Sequence, residues 1–381
     1  MNITIVCDVL GEANNGTTLA AMNLIGYLKE KGHQVTVLCP DQDKLGLPGY
    51  AVVPTWNLGI FNGYVASNGV SLAKPEDSVI SRAIRDADIV HVMLPFPLGR
   101  RAIYLAKQQG IPVSSGFHVM AENVSSHVFL QNCAPANRAI YAYFSKAYRQ
   151  VDAIHYPTQF LRDLYEKMYG KTNGYVISNG VNSTFQPRPA EKPQKMQDKF
   201  VILTTGRYSK EKGHPVLIEA VNRSKYRDRI QLILAGSGPR EKALKKLCQK
   251  LPTPPIFGFH PHREMVDILN YADLYVHPAI IEAEGISCLE ALNCGLVPII
   301  SDSPRCATKD YALTDKSLFH YRDPGDLAEK IDWWLEHPQE RAKWSKAYAE
   351  NAAGRFDQRM CMEKMEQMLL ETAGKRTCPE K

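Results

Sequence analysis

Short apolar, β-branched runs alternate along the whole chain with stretches whose apolar residues recur every three or four positions. Runs of the first kind suit strands buried on both faces and stretches of the second kind suit the helices that cover them, so the pattern predicts parallel sheets in an α/β protein. Residues 3–7, 34–38, 89–92, 112–115 and 153–156 read as strands of one sheet. Residues 200–204, 230–235, 274–277 and 296–300 read as strands of a second. Between the two series, Phe185 begins a Pro- and Lys-rich stretch that reads as a linker. The expected domains are 1–182 and 200–355, joined by a linker at 183–199. A tail at 356–381 is expected to pack back on the amino-terminal domain as a helix. Two doubly wound, Rossmann-like domains facing across a cleft would carry ligand beyond the carboxyl ends of their strands.

A chain of 381 residues is too long for one compact core, in keeping with two domains. With 44% hydrophobic and 23% charged residues, large-scale disorder is excluded. Met1 runs straight into an apolar strand without a basic leader, which points to a cytoplasmic protein rather than a secreted one. No apolar run approaches the roughly 18 residues that span a bilayer. Nine cysteines lie scattered without C-x-x-C spacing, so neither a zinc knuckle nor a disulfide framework is implied. The formal charge of +6 is modest but uneven. Arg100, Arg101, Lys107, Arg138, Lys146 and Arg149 face one acid, Glu122, over that stretch. The helical pattern at 136–149 mixes aromatic residues with cations, as on a helix that rests on an anionic membrane surface. It also suits a helix packed by Ile140, Phe144 and Ala147 with a solvated basic face. No nucleic-acid-binding motif accompanies the charge, so no nucleic-acid partner is expected.

The densest chemistry lies at 282–292, where Glu282 and Glu290 flank Gly285 at a strand-to-helix junction. Amides of Gly285, Ile286 and Ser287 at such a helix start suit a diphosphate, and the two carboxylates suit sugar hydroxyls. An ordinary strand–helix unit with two solvated glutamates gives the same pattern. After the 200–204 strand, the loop holding Gly206, Arg207, Lys212 and Gly213 offers a planar fork and a mobile point charge to one anion; a solvated basic loop is the alternative. Gly236 and Gly238 form a further small turn that would admit a flat or anionic ligand. Gly16 and Thr17 open a helix after the first strand, without the spacing of a dinucleotide fingerprint. His118 follows the 112–115 strand at its carboxyl end, although a lone histidine is as readily structural. Glu122, Asn123 and His127 follow it as candidate acceptor contacts, joined by Asn15 and Thr17. Asp86 and Asp88 have D-x-D spacing but precede a strand, the wrong edge for a metal–nucleotide pair, so no metal site is expected.

Taken in order, these motifs resemble the family 4 retaining glycosyltransferases of the GT-B fold, nearly end to end. The resemblance rests on Asn15-Gly16-Thr17, Gly116-Phe117-His118, Ser178 to Asn182, Gly206-Arg207 with Glu211-Lys212-Gly213, Gly236 to Pro239, and the E-x7-E pair Glu282 and Glu290 with Gly285. It implies that Arg207 and Lys212 bind a donor diphosphate close to Gly16, that Glu290 holds ribose hydroxyls and Glu282 hydroxyls of the transferred sugar. It further implies that His118 faces that sugar and that transfer retains the anomeric configuration without metal or other cofactor. Glu284 departs from the family's usual aromatic, which bears on sugar choice, and Ala279 stands where a serine is common. The expected reaction moves a hexose from UDP-glucose to a membrane lipid such as diacylglycerol, at the inner face of the cell membrane. A saccharide acceptor is the alternative. A UDP-sugar epimerase of the same architecture would need acid/base carboxylates, for which Glu12 and Glu122 are the nearby candidates. A silent nucleotide-sugar-binding subunit is disfavoured by the intact His118, Arg207, Lys212, Glu282 and Glu290.

Overall fold

The computed structural model describes residues 1–8, 10, 16–57, 59, 73–126 and 130–374. The chain divides into two compact units, Met1–Asn179 together with Arg359–Lys381, and Gly180–Gln358.

The first unit is built on β1 (Asn2–Val6), β2 (Gln34–Cys39), β3 (Tyr50–Val52), β4 (Ile89–Val92), β5 (Val113–Gly116), β6 (Ala153–Tyr156) and β7 (Gly174–Val176). They form one sheet in the order β3-β2-β1-β4-β5-β6-β7, with every neighbouring pair parallel. Alternation along β1 explains why both faces are covered. Ile3 and Ile5 enter one core with residues of the Gly16–Glu30 helix, while Val6 enters another with residues of the Asp77–Ile84 and Pro97–Gln108 helices.

The second unit repeats the plan with β8 (Phe200–Thr205), β9 (Ile230–Ala235), β10 (Ile256–Gly258), β11 (Leu274–His277), β12 (Pro298–Ser301) and β13 (Leu318–Phe319). Their order is β10-β9-β8-β11-β12-β13, again all parallel. Both sheets reverse their winding direction at an internal pair, β1 with β4 and β8 with β11. Such switch points leave a crevice beyond the strand carboxyl ends.

Four strands are absent from the sequence expectation: β3, β7 and β10 have three residues each and β13 has two. Runs that short carry no period to read.

The 183–199 stretch is not a free linker. Phe185 and Met196 are buried in the core of the second unit. Arg188 pairs with Asp267, and Lys192 Nζ lies 2.7 Å from Asp273 Oδ2. Composition signals a linker here, but two well-spaced apolar anchors and two ion pairs tie the segment down.

The chain re-enters the first unit in the helix Gln358–Ala373, which buries Cys361, Met362, Met365, Met368 and Leu369 against residues of β1, β2 and the Gly16–Glu30 helix. Glu366 fixes its rotation, accepting from Tyr27 Oη at 3.0 Å and lying 2.7 Å from His33 Nε2. Leu369→Ala is expected to lower the unfolding free energy by about 2–5 kcal/mol, whereas Leu370→Ala on the exposed side changes it by less than about 0.5 kcal/mol. Urea midpoints of the two variants check this.

Candidate functional site

In the second unit the candidate residues flank the β8/β11 switch point. The loop leaving β8 ends in a single 3₁₀ turn, Lys210–Lys212, followed by Gly213 at a φ of 67°. That left-handed backbone strains any L side chain, and an added Cβ would lie 2.0 Å from the Pro278 carbonyl oxygen. Glycine therefore lets the loop press on the chain leaving β11, where Ile280 N donates to Glu211 O at 2.7 Å. The approach sets Lys212 Nζ on Glu282 Oε2 as an ion pair largely shielded from solvent, and His277 Nε2 lies 3.2 Å from the same oxygen. Burial works to raise the Glu282 carboxyl, but the charge and hydrogen bond of Lys212, with His277 close beside them, override it and hold the group at about 2. Burial likewise opposes the Lys212 charge, and Glu282 more than restores it, so the ammonium titrates above its ordinary range. Both stay ionised at neutral pH.

The Glu282 backbone is itself fixed, its N–H donating to Arg305 O at 3.0 Å and its carbonyl accepting from Ala307 N at 2.9 Å. Three residues on, Gly285 adopts a φ of 77°, and an added Cβ would meet Thr308 Cγ2 at 2.5 Å. The helix Ile286–Asn293 starts there, with Cys288 N donating to Gly285 O at 2.8 Å. The amides of Ile286 and Ser287 precede that bond and have no acceptor within the helix, as an anion site requires. Glu290, one turn further, is pushed up to about 8 by burial. It is therefore mostly a neutral acid at pH 7 in the ligand-free protein. Glu284 is buried between the two, and its carbonyl accepts from Tyr311 Oη at 3.0 Å.

Arg207 is half-buried on the same loop as Lys212. A Cβ on Gly236 would lie 2.1 Å from Gly206 O, and one on Gly238 would lie 2.7 Å from Tyr208 N. The space a side chain would take at either position is filled by the 206–208 backbone.

In the first unit, Gly16 is exposed and opens the helix Gly16–Glu30, with Thr17 beside it. Asn15, His127 and Glu12 lie outside the described residues. His118 follows β5 at its carboxyl end but is buried, its ring folded over Gly116 and edge-on to His155 at 5.1 Å. Burial, with His155 and His91 nearby, keeps it neutral by drawing its pKa well below the ordinary value. Its Nε2 has no hydrogen-bond partner. Glu122 and Asn123 are both engaged internally: Tyr141 Oη donates to Glu122 Oε2 at 2.7 Å, and Asn123 Oδ1 accepts from Met120 N at 3.1 Å. Asp88 accepts from Asn2 N at 2.8 Å at the amino edge of the sheet.

The comparisons with known proteins agree with this geometry. A family model described as Glycosyltransferase Family 4 matches residues 14–185, and one described as Glycosyl transferases group 1 matches residues 186–351. The chain belongs to the GT-B glycosyltransferases, with a family 4 amino-terminal domain. Among solved structures, sucrose-phosphate synthase from Thermosynechococcus elongatus superposes at a TM-score of 0.75 with 16% identity, over 97% of this chain and 98% of its own, a likeness of fold. The catalytic domain of cholesterol-alpha-glucosyltransferase from Helicobacter pylori is 48% identical over 41% of this chain and 98% of its own, at a TM-score of 0.40. Two curated relatives named alpha-monoglucosyldiacylglycerol synthase are each 25% identical. The one from Streptococcus pneumoniae matches over 57% of this chain and that from Acholeplasma laidlawii over 79%. The chain spans 52% of the length of the first and 80% of the second.

The glycosyltransferase also has site-forming residues that the sequence reading missed. Tyr208 clamps the β8 loop, its N–H donating to Ser237 O at 2.8 Å and its carbonyl accepting from Arg240 N at 3.1 Å. Asp8, buried beyond β1 at the other switch point, accepts from Leu98 N at 2.8 Å and Gly99 N at 2.7 Å. Burial pushes it up to about 7 against those two bonds. A lone acid closing an apolar run at a strand's carboxyl end was the available signal.

Glu290 gives a sign-definite prediction. Its carboxyl titrates higher folded than unfolded, so the native state binds the extra proton and stability from this group falls as pH rises from about 4.5 to about 8. Glu290→Gln is expected to raise the melting temperature relative to the parent at pH 8.5 and to leave it nearly unchanged at pH 4.5, read by thermal denaturation without ligand.

Proposed function

We propose that this glycosyltransferase transfers glucose from UDP-glucose to a membrane lipid such as diacylglycerol, retaining the anomeric configuration and using no metal. The observation that carries the reading is the Lys212–Glu282 pair beside unpaired helix-start amides at the β8/β11 switch point. Lys212 spends one of three donors on Glu282 and keeps the others for phosphate. With Arg207 and the Ile286 and Ser287 amides it would steady the departing diphosphate, where charge develops as the glycosidic bond breaks. Glu282 would accept from sugar hydroxyls and Glu290 would meet the ribose. The resemblance to the family would also assign the neutral His118 to the sugar. An epimerase reading is weaker, since Glu122 already accepts from Tyr141.

Two observations support a lipid acceptor. Two of the curated relatives are named alpha-monoglucosyldiacylglycerol synthase. The helix Ala134–Tyr148 buries Tyr141, Phe144 and Tyr148 and exposes Arg138, Tyr143 and Lys146, followed by exposed Arg149. Arg100 stacks on Tyr143 at 4.1 Å and Arg101 on Tyr104 at 4.8 Å. Arg101 is neutralised by Asp77 and Lys107 by Asp152, which leaves Arg100, Arg138, Lys146 and Arg149 for an anionic surface on the cytoplasmic side. Each contributes about 1 kcal/mol there, and interfacial tyrosines suit headgroup depth.

The test is nucleotide release from a panel of UDP- and GDP-sugars in EDTA, with diacylglycerol, phosphatidylinositol or a sterol in liposomes, or with soluble saccharides. Lipid-dependent release from UDP-glucose that survives EDTA, with α-linked product from the α-linked donor, is the expected result. Glu282→Ala and Lys212→Ala are each expected to lower turnover by about 10²-fold or more. Release only with saccharides would overturn the lipid reading. In flotation, Arg138→Glu with Lys146→Glu is expected to abolish retention on anionic vesicles at low salt while leaving the fold unchanged by circular dichroism.

A further inference from the structure

Behind the Lys212–Glu282 pair runs a buried chain of polar groups. Tyr275 and His277 lie two residues apart on β11, so both side chains leave the same face of the strand. Their rings stack at 6.1 Å with an interplanar angle of 24°. Tyr275 Oη lies 2.8 Å from Thr205 Oγ1, 3.4 Å from Ser287 Oγ and 3.3 Å from His277 Nδ1. His277 Nε2 lies 3.2 Å from Glu282 Oε2. Both residues are essentially fully buried.

The chemistry of each group orders this chain. An ionised carboxylate only accepts, so the proton between His277 and Glu282 must sit on Nε2. A neutral imidazole with its proton on Nε2 can only accept at Nδ1, and the one donor there is the Tyr275 hydroxyl. Tyr275 then accepts from Thr205 at the end of β8, and Ser287 Oγ, 3.4 Å away, competes with Nδ1 for the one Tyr275 proton. Ordered this way, the chain runs from the neighbouring strand toward the carboxylate, its last link a 3.2 Å contact that falls outside hydrogen-bond geometry in the ligand-free protein.

We propose that His277 is a positioning residue of the donor site, held by Tyr275 as the Nε2–H tautomer and orienting the Glu282 carboxylate through Oε2. The proposal rests on the transferase reading, in which Glu282 meets the transferred sugar. Lys212 grips Oε2 as well, so both fixed contacts fall on one oxygen and Oε1 is left to accept from a sugar hydroxyl. Without His277 the carboxylate would turn about a single flexible ammonium contact. The titratable groups around the imidazole are Lys212 on the β8 loop, His214 on the helix that follows, Glu282 on the β11 loop and Tyr275 beneath it, with Cys288 and Glu290 beside Tyr275 on the Ile286–Asn293 helix.

Three variants and one spectrum test this. His277→Leu removes the donor and is expected to lower kcat by about tenfold to a hundredfold, the range for a hydrogen bond to a charged group. Its acid limb should move to higher pH, because Glu282 loses one of the contacts that hold it ionised. His277→Gln carries an amide N–H to the same place and should return kcat to within about threefold of the parent, with the acid limb restored. Tyr275→Phe, which deletes one hydroxyl, should cost about threefold to tenfold in kcat. Equal impairment in the Leu and Gln variants with an unshifted acid limb would overturn the proposal, leaving His277 as packing. Independently of any activity, ¹⁵N NMR of the ligand-free protein should find His277 as the Nε2–H tautomer between pH 6 and 8, and an Nδ1–H tautomer would overturn it. If the parent transfers from no donor, the transferase reading fails, and the NMR result still decides how Glu282 is held.

Discussion

Two glycines allow the Lys212–Glu282 pair to exist, and most of the candidate site depends on that pair. A buried ion pair loses much of its Coulomb gain to desolvation, so it does not itself hold two loops together. The loops meet because Gly213 lets backbone reach the Pro278 carbonyl and because Gly285 tucks against Thr308, with main-chain bonds at Ile280, Glu282 and Ala307 completing the junction. Given that junction, the charges are forced together, and either one alone would be a buried, uncompensated ion. The pair thereby keeps a cation and an anion in a site that would otherwise neutralise both.

The second glutamate of the Glu-x7-Glu pair meets the opposite environment. Glu282, held by Lys212 and His277, titrates at about 2, whereas Glu290, with burial alone acting on it, titrates at about 8. At neutral pH burial thus removes one negative charge from the helix that follows Gly285, and the Glu290 carboxyl still presents hydrogen-bonding groups to hydroxyls.

The sequence carried the architecture as far as periodicity could. Strands of four residues or more were legible because both faces are apolar, and the switch points follow once the winding is known. The short strands β3, β7, β10 and β13 were not, because they are recruited by a neighbouring edge and not by a pattern of their own. The 183–199 segment reads as a linker by composition because Pro and Lys dominate, and Phe185 and Met196 look incidental until the core they enter is seen. In the site, charged loop residues were legible as candidates because they follow a strand at the ligand edge of the sheet, and only the fold separates them from an ordinary solvated loop. Tyr275 and His277 were hidden for the converse reason: inside the run Leu274-Tyr275-Val276-His277 they look like core, and their polar atoms acquire meaning only when Thr205 and Glu282 are brought beside them.

Gly236 and Gly238 carry the same lesson further, since small residues at a strand end signal a close approach without saying what approaches. Here it is the chain itself. By admitting the backbone of residues 206–208 they let Tyr208 bond to Ser237 and Arg240, which immobilises the loop next to Arg207. Gly213 does the same next to Lys212. Each cation thus projects from a backbone point fixed one residue away, so ordering the loop costs little when an anion binds. The glycines serve the ligand indirectly, through the rigidity of the groups that would hold it.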